Sequence, residues 1–185
     1  MWVDSTREGL QIAQESGNRW GIGLALERLA IVAQAVGDDA EARRLIEQSI
    51  ALQREVGDRW SLSWALNALS RLALARQDLV QAEQCALEAL KTAVEADYNT
   101  AALDVLATLA AVRAQQGLSA AALEMALHIL RHPASTQDAK DRAEKLRVAL
   151  EAQLTPRQLE AVQARCQTRS FEVVVTEMLD PGVIP

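Results

Sequence analysis

Gly17-Asn18-Arg19-Trp20 returns forty residues later as Gly57-Asp58-Arg59-Trp60, and no other feature constrains the chain so tightly. The phase extends well beyond the tetrapeptide. Gly37, Gln77 and Gly117 mark breaks at the same interval, and Ala42, Ala82 and Ala122 follow each break by five residues. Ile46, Ala86 and Ala126 come next, then Ile50, Leu90 and Leu130. Upstream, Leu26, Leu66 and Leu106 form one column and Leu29, Leu69 and Leu109 another. Six columns in phase over three passes are not a chance pattern. A period of this length means a supersecondary unit that buries its apolar face only by stacking on its neighbours.

The unit is helical. Half of the 185 residues are hydrophobic, yet only 3% are aromatic, and Ala and Leu dominate the rest. Ala packs closely and favours helix, whereas β-branched and aromatic residues favour sheet. Apolar spacing predicts helices over 2–16, 18–36, 39–55, 58–76, 79–95, 98–116 and 119–131. The stripes read inward at Leu10, Ile12 and Ala13; at Ile22, Leu26, Leu29, Ala30 and Ala33; and at Ala42, Leu45, Ile46, Ser49, Ile50 and Leu52. The later segments repeat the pattern, with Ala82, Ala86, Ala89, Leu90 and Val94 in the fifth. Pro133 then stops the array. A helix over 137–153 carries Ala139, Ala143, Leu146, Ala149 and Leu150 inward, with Lys140, Arg142, Lys145 and Arg147 outward. Thr155-Pro156 offers an N-cap and a first-turn proline for a helix to 168. Ser170 caps a last short segment, whose Val173-Val174-Val175 run suits either a helix or a strand. The expected fold is all-α: a right-handed solenoid of antiparallel helical hairpins with C-terminal capping helices. The array spans 1–132, as a half repeat at 1–16 and repeats at 18–56, 58–95 and 98–132; residues 133–185 form capping helices and tail.

From about residue 1 to 132 the chain resembles the tetratricopeptide repeat family. That family has a Gly-Asp-like turn, a small residue five positions on and an apolar residue four after that. Gly37-Asp38, Ala42 and Ile46 fit; Gln77-Asp78, Ala82 and Ala86 fit in part, and Gly117, Ala122 and Ala126 less fully. Two departures stand out. The family period is about 34 residues, so each hairpin here is longer by about 9 Å of helix. Leu26, Leu66 and Leu106 also stand where Trp is common in the family. A forty-residue period suits HEAT and armadillo arrays as well; the turn and Ala columns favour the tetratricopeptide reading. The GNRW and GDRW junctions are similar to those of long-period arrays in bacterial signalling ATPases of the STAND class and in LuxR-type and AfsR-type transcription regulators. Such arrays usually lie C-terminal to a nucleotide-binding domain. By register, residues 2–16 align with a second helix, since Leu10 stands forty before Ile50. The expectation is a piece of a longer protein that extends N-terminally. Apolar surface at that end, including Trp2, would favour self-association.

Bulk charge narrows the partners. The net charge is −6 with Lys and Arg dispersed among acids, so direct nucleic-acid binding is not expected. No run of eighteen apolar residues argues for a membrane span, and the N-terminus lacks a signal-peptide layout. Cys85 and Cys166 have no CxxC spacing and read as small buried hydrophobes. A reducing cytoplasm fits best.

Catalytic signals fall short one by one. Glu124, His128 and His132 share a helix face, but no further ligand is supplied locally, so the histidines read as solvated and no metal or cofactor is expected. Gly21-Ile22-Gly23 lies inside a helical pattern and reads as close helix packing, not as a phosphate loop. Leu154 to Glu160 resembles the opening of a LuxR-type DNA-binding domain, yet too little chain follows to add a recognition helix; a capped terminal helix is favoured. Trp20 and Trp60 recur in register and read as packing pins between hairpins. Trp64 breaks its column, where the counterparts are Leu24 and Asp104.

The resemblance implies that first helices line a concave groove. By register Leu24, Glu27, Arg28, Ile31, Trp64, Asn67, Arg71 and Asp104 would then face it, with Trp64 and Arg71 as the candidate hot spot. The expected function is a non-enzymatic interaction scaffold in a bacterial signalling or transcription-regulatory protein. It would hold a protein or peptide partner, or a small-molecule inducer. The alternative is a structural spacer or self-association arm with no ligand of its own.

Overall fold

The computed structural model describes residues 2–180, with side chains from Ser5 onward. Trp2, expected to add apolar surface, lies outside the described side chains. Among the described residues all regular structure is helical: α1 (Trp2–Glu15), α2 (Arg19–Ala35), α3 (Asp39–Val56), α4 (Arg59–Ala75), α5 (Leu79–Glu95), α6 (Asn99–Gln115), α7 (Ser119–Arg131), α8 (Gln137–Glu151), α9 (Pro156–Thr168) and α10 (Phe171–Leu179).

The turns explain the period, and they show that it divides in two. Gly17, Gly37, Gly57, Gln77, Asp97 and Gly117 all have positive φ, one every twenty residues. Each is the left-handed residue that ends one helix. The next residue caps the following helix. Asn18, Asp38, Asp58 and Asp78 each accept a hydrogen bond from the backbone N–H three positions on, at 3.0–3.1 Å. Tyr98 and Leu118 hold the same place without a side-chain cap. Turns this short force consecutive helices to run antiparallel and to pack on one another.

Successive helices from α1 to α8 pack pairwise, and α2, α4, α6 and α8 also touch in that order, making one face of a helical solenoid. The core follows the columns. Ala42, Ala82 and Ala122 are fully buried, and Leu26, Leu66 and Leu106 are buried with them. One polar junction also keeps the forty-residue register. Ser49 Oγ donates to Gly23 O at 3.2 Å, and forty residues on Ser63 Oγ donates to Ala89 O at 3.0 Å. In the third hairpin the equivalent pair is Leu103 and Ile129, both buried. Gly23 leaves room here for the buried Gln53 side chain, whose Nε2 would stand 2.2 Å from a Cβ at that position.

Several inward assignments are corrected. Ile12 and Val94 are 59% and 43% exposed. Position 94 shares its register with Arg54, an outward site, and position 12 shares its register with half-buried Leu52. Ala149 is exposed and Arg142, expected outward, is half-buried. His128, expected in solvent, is buried because the C-terminal helices fold over α7. Buried Glu124 draws them in, with Arg165 Nε at 3.0 Å and an Arg169 guanidinium nitrogen at 2.7 Å, while Arg169 also pairs with Glu177 of α10. The last segment is a helix, with Val174 and Val175 buried and Val173 outward. It packs back on α5, and α9 packs on α7. Thr155 and Gln158 close a full capping box on α9, so this stretch serves as a capped terminal helix. No helix among the described residues is long and apolar enough to cross a membrane.

Candidate binding groove between the first helices

Helices α2 and α4 enter the array in parallel, forty residues out of step, so equal positions stand side by side. Their facing stripes enclose a cleft of about 520 Å³. Leu24, Glu27 and Ile31 line it from α2; Trp64, Asn67 and Arg71 line it from α4; Asp104 of α6 joins them. Seven of the eight residues picked by register are thus brought together. Arg28 is not among them. It lines a separate groove, between α1 and α2.

Trp60 also lines the cleft, a place not expected of a packing pin. It is 47% exposed, and Trp20, its counterpart, is 52% exposed. The reason is angular. Ser61 takes the buried first-turn position in α4, so Trp60 projects about 100° away from it. Gly21 stands in the equivalent position beside Trp20, close against Ala13. The Trp60 ring meets Trp64 at 5.9 Å between centroids with the planes tilted by 56°. Tilted pairs at this distance suit the aromatic quadrupole. Trp64 Nε1 and Asn67 Oδ1 are buried and find no hydrogen-bond partner among the described residues.

The two carboxylates of the cleft differ. Asp104 is only 3% exposed, because α6 is flanked by both α4 and α8. Asn67 Nδ2 donates to Asp104 Oδ2 at 2.6 Å, and the Arg142 guanidinium of α8 pairs with Asp104 Oδ1. Burial pushes the Asp104 carboxyl up, while Arg142 and, at longer range, Arg71 pull it down. Arg142 in turn reaches Asp138 at 2.9 Å and Thr108 Oγ1 at 3.3 Å. Glu27 has no such cation among the described residues. Burial pushes its carboxyl up to about 7; the Ser49 hydroxyl, 3.0 Å away, works against this, and the nearby Asp58 adds to it.

Past Asp104 the same face becomes cationic. A second hollow of about 540 Å³ runs between α4, α6 and α8, edged by Arg71, Arg142 and Lys145 over Leu74, Thr108 and Leu146. Arg71 borders both hollows. Arg142 and Lys145 were missed from sequence because Pro133 hides the continuation of the array. The capping residues carried the signal. Thr136, the cap of α8, lies 38 residues after Tyr98, so Arg142 aligns with Asp104, Trp64 and Leu24. Helix α8 therefore takes the place of a fourth first helix.

Elsewhere, Cys166 is buried and Cys85 half-buried, and burial is the main cause pushing both thiols up. Among the described residues no group of three His, Cys, Asp or Glu side chains is placed to hold a metal ion.

Comparison with known proteins bears on this same region. Residues 21–93 match the family model for the tetratricopeptide repeat, a stretch that runs from the first turn of α2 into the last turn of α5 and contains both walls of the cleft. No curated protein and no solved structure matches the chain.

Proposed function

We propose that this chain holds a segment of a partner protein in the α2–α4 cleft: residues 21–93 match the tetratricopeptide-repeat family model, and that family generally mediates protein–protein interaction. One observation carries the reading. Two partly exposed tryptophans in contact, Trp60 and Trp64, line a cleft large enough for several side chains, within an otherwise aromatic-poor molecule. Interface hot spots are enriched in Trp and Arg seated in pockets, and Arg71 supplies the latter at the same cleft. The mechanism is geometric. Rigid hairpins hold both walls in place before the partner arrives, which lowers the ordering cost of binding. Asp104 is committed to Asn67 and Arg142, which supports a scaffold rather than an enzyme. The GNRW and GDRW junctions support a setting within a larger bacterial signalling or transcription-regulatory protein.

Random twelve-residue peptides displayed on phage and selected on the intact chain test the assignment. Trp64→Ala should weaken selected peptides by about tenfold or more, in the range of a hot-spot truncation, with helicity by circular dichroism unchanged. Peptides that bind the variant as well as the parent chain would remove the cleft as the partner site.

A further inference from the structure

Glu27 is the group that the fold leaves electrostatically unanswered. On α2, the adjacent Arg28 turns to the groove beside α1. Helix α3 offers only the Ser49 hydroxyl. The N-cap of α4, Asp58, is a like charge, and Arg71 of α4 stands one turn beyond Asn67 and acts on Asp104. From α6 comes Asp104 itself, already paired with Arg142 of α8. Among the described residues no cation pairs with Glu27. A half-buried carboxylate in this condition stabilises an incoming positive charge, because part of its desolvation has already been imposed on it.

The same cleft carries the second half of a cation site. Trp60 and Trp64 line it with Glu27, and indole faces attract ammonium and guanidinium groups once water is displaced. Arg71, which borders this cleft as well as the next hollow, and Arg142 and Lys145 beyond Asp104 edge the face and oppose any further positive charge.

We propose that the α2–α4 cleft recognises a partner segment through one isolated Arg or Lys side chain, inserted between the Trp60–Trp64 pair and the Glu27 carboxylate. This rests on the reading of the cleft as the partner site and adds the chemistry it selects. The cationic hollow next to it excludes runs of basic residues, so the preferred segment bears a single charge flanked by apolar or acidic residues. Binding follows pH in a defined sense. Glu27 must be ionised to pair with the cation, so affinity rises from pH 6 to pH 8 as it loses its proton around 7.

The phage-selected peptides, labelled and titrated by fluorescence anisotropy, test both levels separately. The expected set carries a lone Arg or Lys. Changing that residue to Met, or Glu27→Gln in the chain, should weaken binding by about tenfold at pH 8, and Glu27→Gln should abolish the rise between pH 6 and pH 8. Peptides that lose affinity on Trp64→Ala yet lack a basic residue, or ignore Glu27→Gln, overturn the cation site and leave the cleft reading intact. Peptides indifferent to Trp64→Ala, or no selection at all, overturn both.

Discussion

At the scale of single residues, the six left-handed turn positions show how a repeat tolerates drift. Four are Gly, while Gln77 and Asp97 adopt φ of 61° and 58° at a cost that L side chains pay and Gly does not. The antiparallel packing on either side holds both there, and at Gln77 the following Asp78 cap adds to it. Gln77→Gly should therefore stabilise the chain by about 0.5–1 kcal/mol, the relief of left-handed strain less the added freedom of the unfolded state. Urea denaturation should show a higher midpoint with an unchanged slope. No gain would mean that Gln77 contributes contacts beyond its backbone. The turn itself was legible from the Gln77-Asp78 step in phase with Gly37-Asp38. The unfavourable φ was not, since it is imposed by register and goes against the residue's own preference.

Between elements, the Asp104–Arg142 pair ties α6 to α8 across the edge of the groove. Breaking a buried pair costs more than the pair itself is worth, since the remaining charge loses its partner. Arg142→Ala should lower stability by about 2–3 kcal/mol, or about 5–10 °C in melting temperature for a chain of this size. Asp104→Asn added to Arg142→Ala should recover part of that loss, because it removes the stranded carboxylate; a double-mutant cycle measures the coupling. Purely additive losses would show that Arg142 acts by packing alone. This pair explains why Asp104, placed at the groove by its register, lies at the floor rather than on the open surface.

Across the whole molecule, burial deepens from the first repeat towards the third. Leu26, Leu66 and Leu106 occupy one column yet are 8%, 2% and 0% exposed. In a solenoid each repeat is stabilised by its neighbours, so local stability should follow the same gradient. Hydrogen exchange followed by mass spectrometry should show amides of α6 as the slowest, α4 intermediate and α2 faster. Uniform protection would mean that the described repeats unfold as a single cooperative unit. The C-terminal ion cluster around Glu124 sharpens the gradient, since it holds α9 and α10 over α7 and α5.

The sequence by itself determined the period, the helices, their turns and most of their caps, and it placed seven of the eight expected first-helix residues, all but Arg28, along one cleft. All of these are local. A helix of 3.6 residues per turn assigns each side chain an angle about its own axis, and a repeat copies that angle from one hairpin to the next. Only the tertiary structure decided what each angle meets. Trp60 and Trp20 turned towards solvent because Ser61 and Gly21 took the inward place. His128 became buried because residues some forty positions later fold over it. Asp104 acquired a cation from α8, a helix whose place in the array follows a break that the forty-residue phase does not cross. Glu27 acquired none among the described residues, and that difference, set by neighbours and not by sequence spacing, gives the cleft its chemistry.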